Sequence, residues 1–304
     1  MAGWERTRVY RNHHLDSARW DAIEPRDGDV VITTSYKSGT TWTQHIVGQL
    51  VLRGVANAPP PRMVSPWIDA RFHIPLDVLV PMVAAQTHRR FLKSHLAADG
   101  LPYRPGTRYI VVARDARDVF MSLVNHYAAY TDVAMASLND DPTLAKIEAF
   151  DGDVKKLWRN WITRGSFAWE SDGYPFWGNF HHAASYWPHR HLENVLLVHY
   201  NDLKADLPGE IRRIGDFLGV ELRDDEVATV ARESHIDRMR EVATETEDLL
   251  APFFEGGASR FFFKGTNGRW RDVLEADDLA LYEEAKHRLL TPECAAWLER
   301  GYRG

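Results

Sequence analysis

The sequence predicts an α/β protein: a central parallel sheet with helices on both faces, three layers in all. Two observations carry that prediction. Short apolar, β-branched runs typical of buried strands alternate with stretches whose apolar residues recur at helical spacing. No internal repeat or low-complexity linker divides the 304 residues, so 1–304 is read as one domain with insertions.

The first strand is "DVVITT", from Asp29 to Thr34, and from Thr40 onward Trp42, Ile46, Val47, Leu50 and Val51 follow helical spacing. A proline-rich loop, "ANAPPPRMVSPW" from Ala56, comes next. "RFLKSH" from Arg90 and "RYIVVAR" from Arg108 are further strands, the second running into the helical pattern of "DARDVFMSLVNHY". "NVLLVHY" from Asn194 is a fourth strand. Behind it, "LPGEIRRIGDFLGV" sets Ile211, Ile214, Phe217 and Leu218 on one helical face. Between 131 and 187 the pattern loosens into an aromatic-rich helical and loop insertion that holds Trp158, Trp161, Trp169, Phe176, Trp177 and Phe180. It reads either as a peripheral layer packing its rings into the core or as a wall over an apolar substrate.

A hydrophobic content of 44% is enough for a substantial core. The net charge of −6 argues against a surface adapted to nucleic acid or anionic lipid, so an anionic ligand requires a local basic pocket. The start of the chain is polar, without the apolar stretch of a secretory signal, and no apolar run approaches the roughly 18 residues a membrane helix needs. The single cysteine, Cys294, excludes an intramolecular disulfide and a cysteine-rich zinc site, and with the other absences it predicts a cytoplasmic protein. Fourteen histidines are present, but the pairs His13/His14 and His181/His182 lack a zinc-binding spacing, and no metal is predicted.

The chemistry concentrates in "TTSYKSGTTWTQHI", from Thr33 to Ile46. A loop between a buried strand and a helix N-terminus offers unpaired N–H groups and the positive end of the helix dipole, which suit an anion. Gly39 permits close backbone approach, Ser38, Thr40 and Thr41 add hydroxyl donors, and Lys37 adds a mobile charge. An N-capped helix after an ordinary turn is the plainer alternative. In the loop of ATPases and GTPases the lysine follows two glycines and precedes a magnesium-binding hydroxyl. Here Thr33, Thr34, Ser35 and Tyr36 precede the lysine, so the cradle lacks that magnesium handle.

"YKSGTTW", Tyr36 to Trp42, resembles the donor loop of the cytosolic sulfotransferases that use 3′-phosphoadenosine 5′-phosphosulfate (PAPS), with Tyr36 where the family has proline. Three later segments follow in the family's order, and the resemblance spans roughly Trp20 to Leu274. "RFLKSH" is similar to the element that carries the family's catalytic histidine, which implies His95 as the base toward an acceptor hydroxyl and Lys93 beside it. In a strand, residues two apart face the same way, so both can address one reacting centre. "VARDARDVFMSLVNHY" resembles the 3′-phosphate element and implies Arg114 and Ser122 as its ligands. "FFFKGTNGRWRDVL" resembles the segment that closes over the nucleotide: Lys264, Gly265, Gly268 and Trp270 match, Phe263 stands in place of an arginine and Arg269 in place of an aspartate. Arg269 or Arg271 is the candidate replacement for the lost arginine. Tyr200 falls at a nucleotide-contacting tyrosine. Ser234 and Ile236 fall near adenine-binding positions, with Trp42 as the stacking platform.

The resemblance implies a P-loop-like fold shared with nucleotide kinases. It also implies transfer of a sulfuryl group from PAPS, without metal, to a hydroxyl of a small, mainly apolar acceptor: a phenol, alcohol, steroid, lipid or glycolipid. An ATP- and magnesium-dependent kinase, or a silent nucleotide- or lipid-binding protein, is the alternative. The family's dimerisation motif is not evident in "RDVLEADDLALYEEAKHRLL", which leaves the oligomeric state open.

Overall fold

A computed structural model describes residues 3–55, 59–245, 250–261 and 265–302. Each predicted strand forms: β1 (Val30–Thr34), β2 (Phe91–Ser94), β3 (Arg108–Ala113) and β4 (Val195–His199). They make one parallel sheet in the order β2-β1-β3-β4. Val31 pairs with Leu92 on one side and Tyr109 on the other, and Ile110 pairs with Leu196.

Because side chains alternate across a strand, consecutive strand residues feed opposite cores. Val31, Leu92, Val111 and Leu197 join one buried cluster, while Val30, Phe91, Val112 and Val198 join the other. Helices Thr40–Val51 and Leu207–Leu218 close the second face with Ile46, Val47, Leu50, Ile211 and Ile214. The first face is closed by helices Ala116–Tyr127, Val154–Thr163, Asn179–Tyr186 and Ala276–Leu289. Local signals set the ends of these helices. Asp206 caps Leu207–Leu218 by accepting from the Gly209 N–H at 2.9 Å, and Gly219, at φ +68°, ends it in the left-handed region.

Most of the 131–187 aromatics pack rather than line. Trp158 and Trp161 lie three apart on one helix, so both face the same buried cluster, and Trp158 meets Phe120 edge-on at 4.8 Å between centroids. Phe180 is fully buried in the same cluster.

At the bottom of the sheet, Asp29 and Arg90 precede β1 and β2 and pair with each other at 5% and 2% side-chain exposure. Arg90 Nε donates to Asp29 Oδ1 at 2.8 Å. Replacing Arg90 with alanine strands the Asp29 carboxylate in a site without water, and is expected to lower unfolding stability by about 3–5 kcal/mol in urea denaturation.

Candidate active site

β1 delivers the chain to the Ser35–Gly39 loop at the C-terminal edge of the sheet, where open α/β folds bind ligands. Gly39, at φ +109°, caps helix Thr40–Val51, and a Cβ added there lies 3.0 Å from the Tyr200 ring. Lys37 is the one non-glycine residue with positive φ among those described, at +64°, a conformation that costs about 1–3 kcal/mol. Hydroxyl pairs hold the loop. Thr34 Oγ1 meets Thr40 Oγ1 at 2.6 Å, Ser35 Oγ meets Ser38 Oγ at 2.7 Å, and Asn179 Nδ2 donates to Ser35 Oγ at 2.6 Å.

The loop opens on a cavity of about 480 Å³. Lys37, Gly39, Thr40, Thr41 and Trp42 line it from the loop and helix, Lys93 and His95 from β2 and just beyond its end, and Arg114 and Ser122 from β3 and its helix. Tyr200 and Gly265 close it from the far side, the Tyr200 hydroxyl donating to the Gly265 carbonyl at 3.1 Å. The Ser38 and Ser234 side chains are buried away from the cavity, Ser38 on Ser35 and Ser234 without a hydrogen-bond partner among the described residues. Phe263 and Lys264 lie outside the described residues.

His95 holds the centre. Its Nδ1 is 2.8 Å from the Thr34 carbonyl, and a carbonyl only accepts, so Nδ1 carries the ring proton. Nε2 is then an unprotonated lone pair, buried and with no partner among the described residues. The Trp67, Tyr36 and Trp177 rings surround the imidazole at 4.8, 5.1 and 5.5 Å between centroids. Burial there, reinforced by Lys93, drives its pKa well below 6.5. Asp69 fixes the segment by accepting from the His95 backbone N–H at 3.0 Å and from the Trp67 and Trp20 indoles at 2.8 and 3.0 Å.

Beyond the end of β3, Arg114 Nη2 donates to Asn267 Oδ1 at 2.8 Å and to the Thr266 carbonyl at 3.2 Å, and its guanidinium lies 4.1 Å from the Tyr200 ring centre. Arg269 lines the same cavity, whereas Arg271 packs on Trp270 at 4.5 Å.

Residues 27–291 match the family model described as the sulfotransferase domain. The chain belongs to the sulfotransferase family. The sulfotransferase is 33% identical over 313 residues to the glycolipid sulfotransferase of Mycobacterium tuberculosis (strain ATCC 25177 / H37Ra), covering 97% of this chain and 95% of that one. Against sulfotransferase 1A1 of Rattus norvegicus the identity is 28% over 260 residues, covering 81% and 79%. Its fold is shared with retinol dehydratase solved in complex with androsterone and inactive cofactor PAP, at a TM-score of 0.71 and 24% identity, covering 93% and 87%. It is shared equally with mouse sulfotransferase SULT7A1 complexed with PAP, at 0.69 and 19%, covering 92% and 91%. The enzyme is a PAPS-dependent sulfotransferase, which sets the kinase and silent-carrier readings aside. Among the described residues no helix is long and apolar enough to cross a membrane.

In the sulfotransferase three cationic side chains, Lys37, Lys93 and Arg114, line one cavity. Burial lowers the Lys37 pKa to about 7, with Lys93 and Arg114 adding to the effect. Burial lowers Lys93 to about 8 against the opposing pull of Asp69. Of the two readings of the aromatic segment, the packing layer holds for Trp158 and Trp161, which are buried in the core cluster. Tyr36, His126, Met239 and Phe261 line the cavity instead. Sequence reasoning missed His126 and Asp69. His126 carried a signal, since it lies four residues after Ser122 and so on the same face of the helix. Asp69 lies two residues beyond the proline-rich segment, with nothing local to mark it.

Proposed function

We propose that this sulfotransferase sulfates a hydroxyl of an apolar-bodied small molecule of the glycolipid class, with His95 as general base. The observation that carries the reading is the orphaned Nε2 of a neutral His95, in the cavity that also holds Lys37 and Lys93. His95 Nε2 takes the acceptor proton as its oxygen attacks sulfur. Lys37 stabilises the electron pair left on the phosphate oxygen when the bridging S–O bond breaks, and Lys93 faces the sulfuryl group in flight. Gly39, Thr40 and Thr41 receive the 5′ side of the donor, with Ser38 contributing through the loop backbone. Arg114, Ser122 and Arg269 receive the 3′-phosphate, Arg269 filling in for the arginine absent at Phe263. Trp42, Tyr200, Gly265 and the segment around Ser234 frame the adenosine.

The acceptor class is supported by the Mycobacterium relatives named glycolipid sulfotransferase, which match 97% of the chain. The family match over 27–291 and the two cores shared by its elements support one working domain. A lone buried cysteine fits a cytoplasmic setting.

The test is incubation with sulfur-labelled PAPS and a panel of glycolipids, sterols and simple phenols. The expected outcome is a kcat/KM for glycolipids at least about tenfold above that for phenols, the order of discrimination one or two apolar contacts give. Preference for phenols overturns the acceptor class.

The pH profile follows from the buried cations. Lys37 is an ammonium below about 7 in the free enzyme and loses its proton above, while His95 stays neutral until well below 6.5. Thus kcat/KM for the donor is expected to fall as pH rises through the Lys37 value, and to hold on the acid side through 6.5, in initial-rate assays.

A further inference from the structure

The donor lysine sits at the head of a chain of buried side chains that the reaction itself does not use. Lys37 Nζ is 3.3 Å from His126 Nδ1, and His126 Nε2 is 2.7 Å from the Tyr36 hydroxyl. The Tyr130 hydroxyl lies 3.1 Å from His14 Nε2, and His14 Nδ1 meets His13 Nδ1. The two links nearest Lys37 fix their own protons. An ammonium has only donors, so His126 Nδ1 accepts, and its proton on Nε2 goes to Tyr36 Oη. His126 must be neutral in this arrangement, and burial holds it, like His13 and His14, well below its ordinary pKa.

We propose that His126, oriented by Tyr36, is a positioning residue that keeps the Lys37 side chain protonated and fixed in the cavity before the donor arrives. The need for it is electrostatic. Lys93 and Arg114 both disfavour a charge on Lys37, and the Phe261 ring at 4.6 Å from Nζ offers only its π-face. His126 in turn faces Lys37, Lys93, His14 and His95, together with the rings of Tyr36, Tyr130, Phe254 and Phe261, so its neutral Nδ1 is the acceptor this wall supplies.

The inference rests on the donor-side role proposed for Lys37, and the test separates the two. It compares the pH dependence of kcat/KM for the donor in wild type, His126→Phe, His126→Asn and Tyr36→Phe. Asparagine places an amide oxygen near the Nδ1 position, whereas phenylalanine fills the space without an acceptor. A hydrogen bond to a charged group is worth about one pH unit of displacement, so the alkaline limb is expected about one unit lower in His126→Phe. It returns toward wild type in His126→Asn, and Tyr36→Phe moves it the same way by less. The acceptor KM stays within about threefold in all of them, since uniform acceptor binding is untouched. Unchanged binding of adenosine 3′,5′-bisphosphate certifies that each variant folds, and Tyr36→Phe carries the test if His126→Phe does not. An unmoved limb, an asparagine variant no better than phenylalanine, or a change confined to the acceptor KM overturns the proposal. If Lys37→Met itself retains turnover, the donor-side reading fails and this inference with it. If Lys37→Met is inactive while the His126 series is flat, this inference alone fails.

Discussion

Replacing His95 with alanine is expected to lower kcat by about 10²–10⁴-fold, the range a positioned general base contributes. The side chain gives two separate things. Its Nδ1–H anchors to the Thr34 carbonyl at 2.8 Å, so the ring cannot turn, and its Nε2 lone pair is left for the acceptor proton. Alanine removes both, and no other neutral base is placed with an orphaned nitrogen there among the described residues. The neighbouring His182 is spent on Thr33 at 3.0 Å, and His126 lies between Tyr36 and Lys37. Binding of adenosine 3′,5′-bisphosphate, measured by calorimetry, is expected to stay near the wild-type value, because the donor end is built from other elements. Added imidazole is expected to restore part of the rate by occupying the vacated ring space between Trp67, Tyr36 and Trp177. Turnover of the alanine variant within threefold of wild type, with donor binding intact, removes His95 from the base role.

Lys37→Met is expected to lower kcat by about 10²–10³-fold, the effect of deleting one preorganised charge partner at a developing anion. Methionine keeps most of the stem and its contact with the Phe261 ring, so the loss reads out the ammonium rather than the packing. Relief of repulsion accompanies it: with Lys37 uncharged, Lys93 and Arg114 lose a like-charged neighbour. Thermal unfolding of the unliganded variant is therefore expected at or above the wild-type temperature. Stabilisation by adenosine 3′,5′-bisphosphate is expected to be retained, at about 2.7 kcal/mol for ligand at 100 times its Kd. A rate loss carried wholly in the donor KM, with kcat intact, assigns Lys37 to ground-state binding instead.

The strands were legible because each is a local run with the composition that double-sided burial demands, and all of them formed within a residue or two of the quoted stretches. The Ser35–Gly39 loop was legible for a related reason. A strand–loop–helix turn needs contiguous backbone and small side chains, so Lys37 to Trp42 mark it in sequence. Arg114 and Ser122, which line the same cavity, lie at one strand–helix junction. The aromatic segment was not decidable in this way, since Trp158 facing a core and Trp158 facing a substrate have the same spacing.

By itself, the sequence determined the parallel α/β architecture, the strand–loop–helix cradle, and the lysine, histidine and arginine that the family resemblance points to. All of these are encoded within stretches of about a dozen residues, where periodicity, capping and backbone freedom act. Only the tertiary structure decided that Arg269 rather than Arg271 lines the cavity, that Asp69 holds the His95 segment, and that Tyr36 and His126 meet Lys37. These contacts join residues 26 to 90 positions apart, for His95 with Asp69 and for Tyr36 with His126. Their physical cause is burial between separate elements, where a polar group taken out of water is satisfied by whichever partner the fold brings to it.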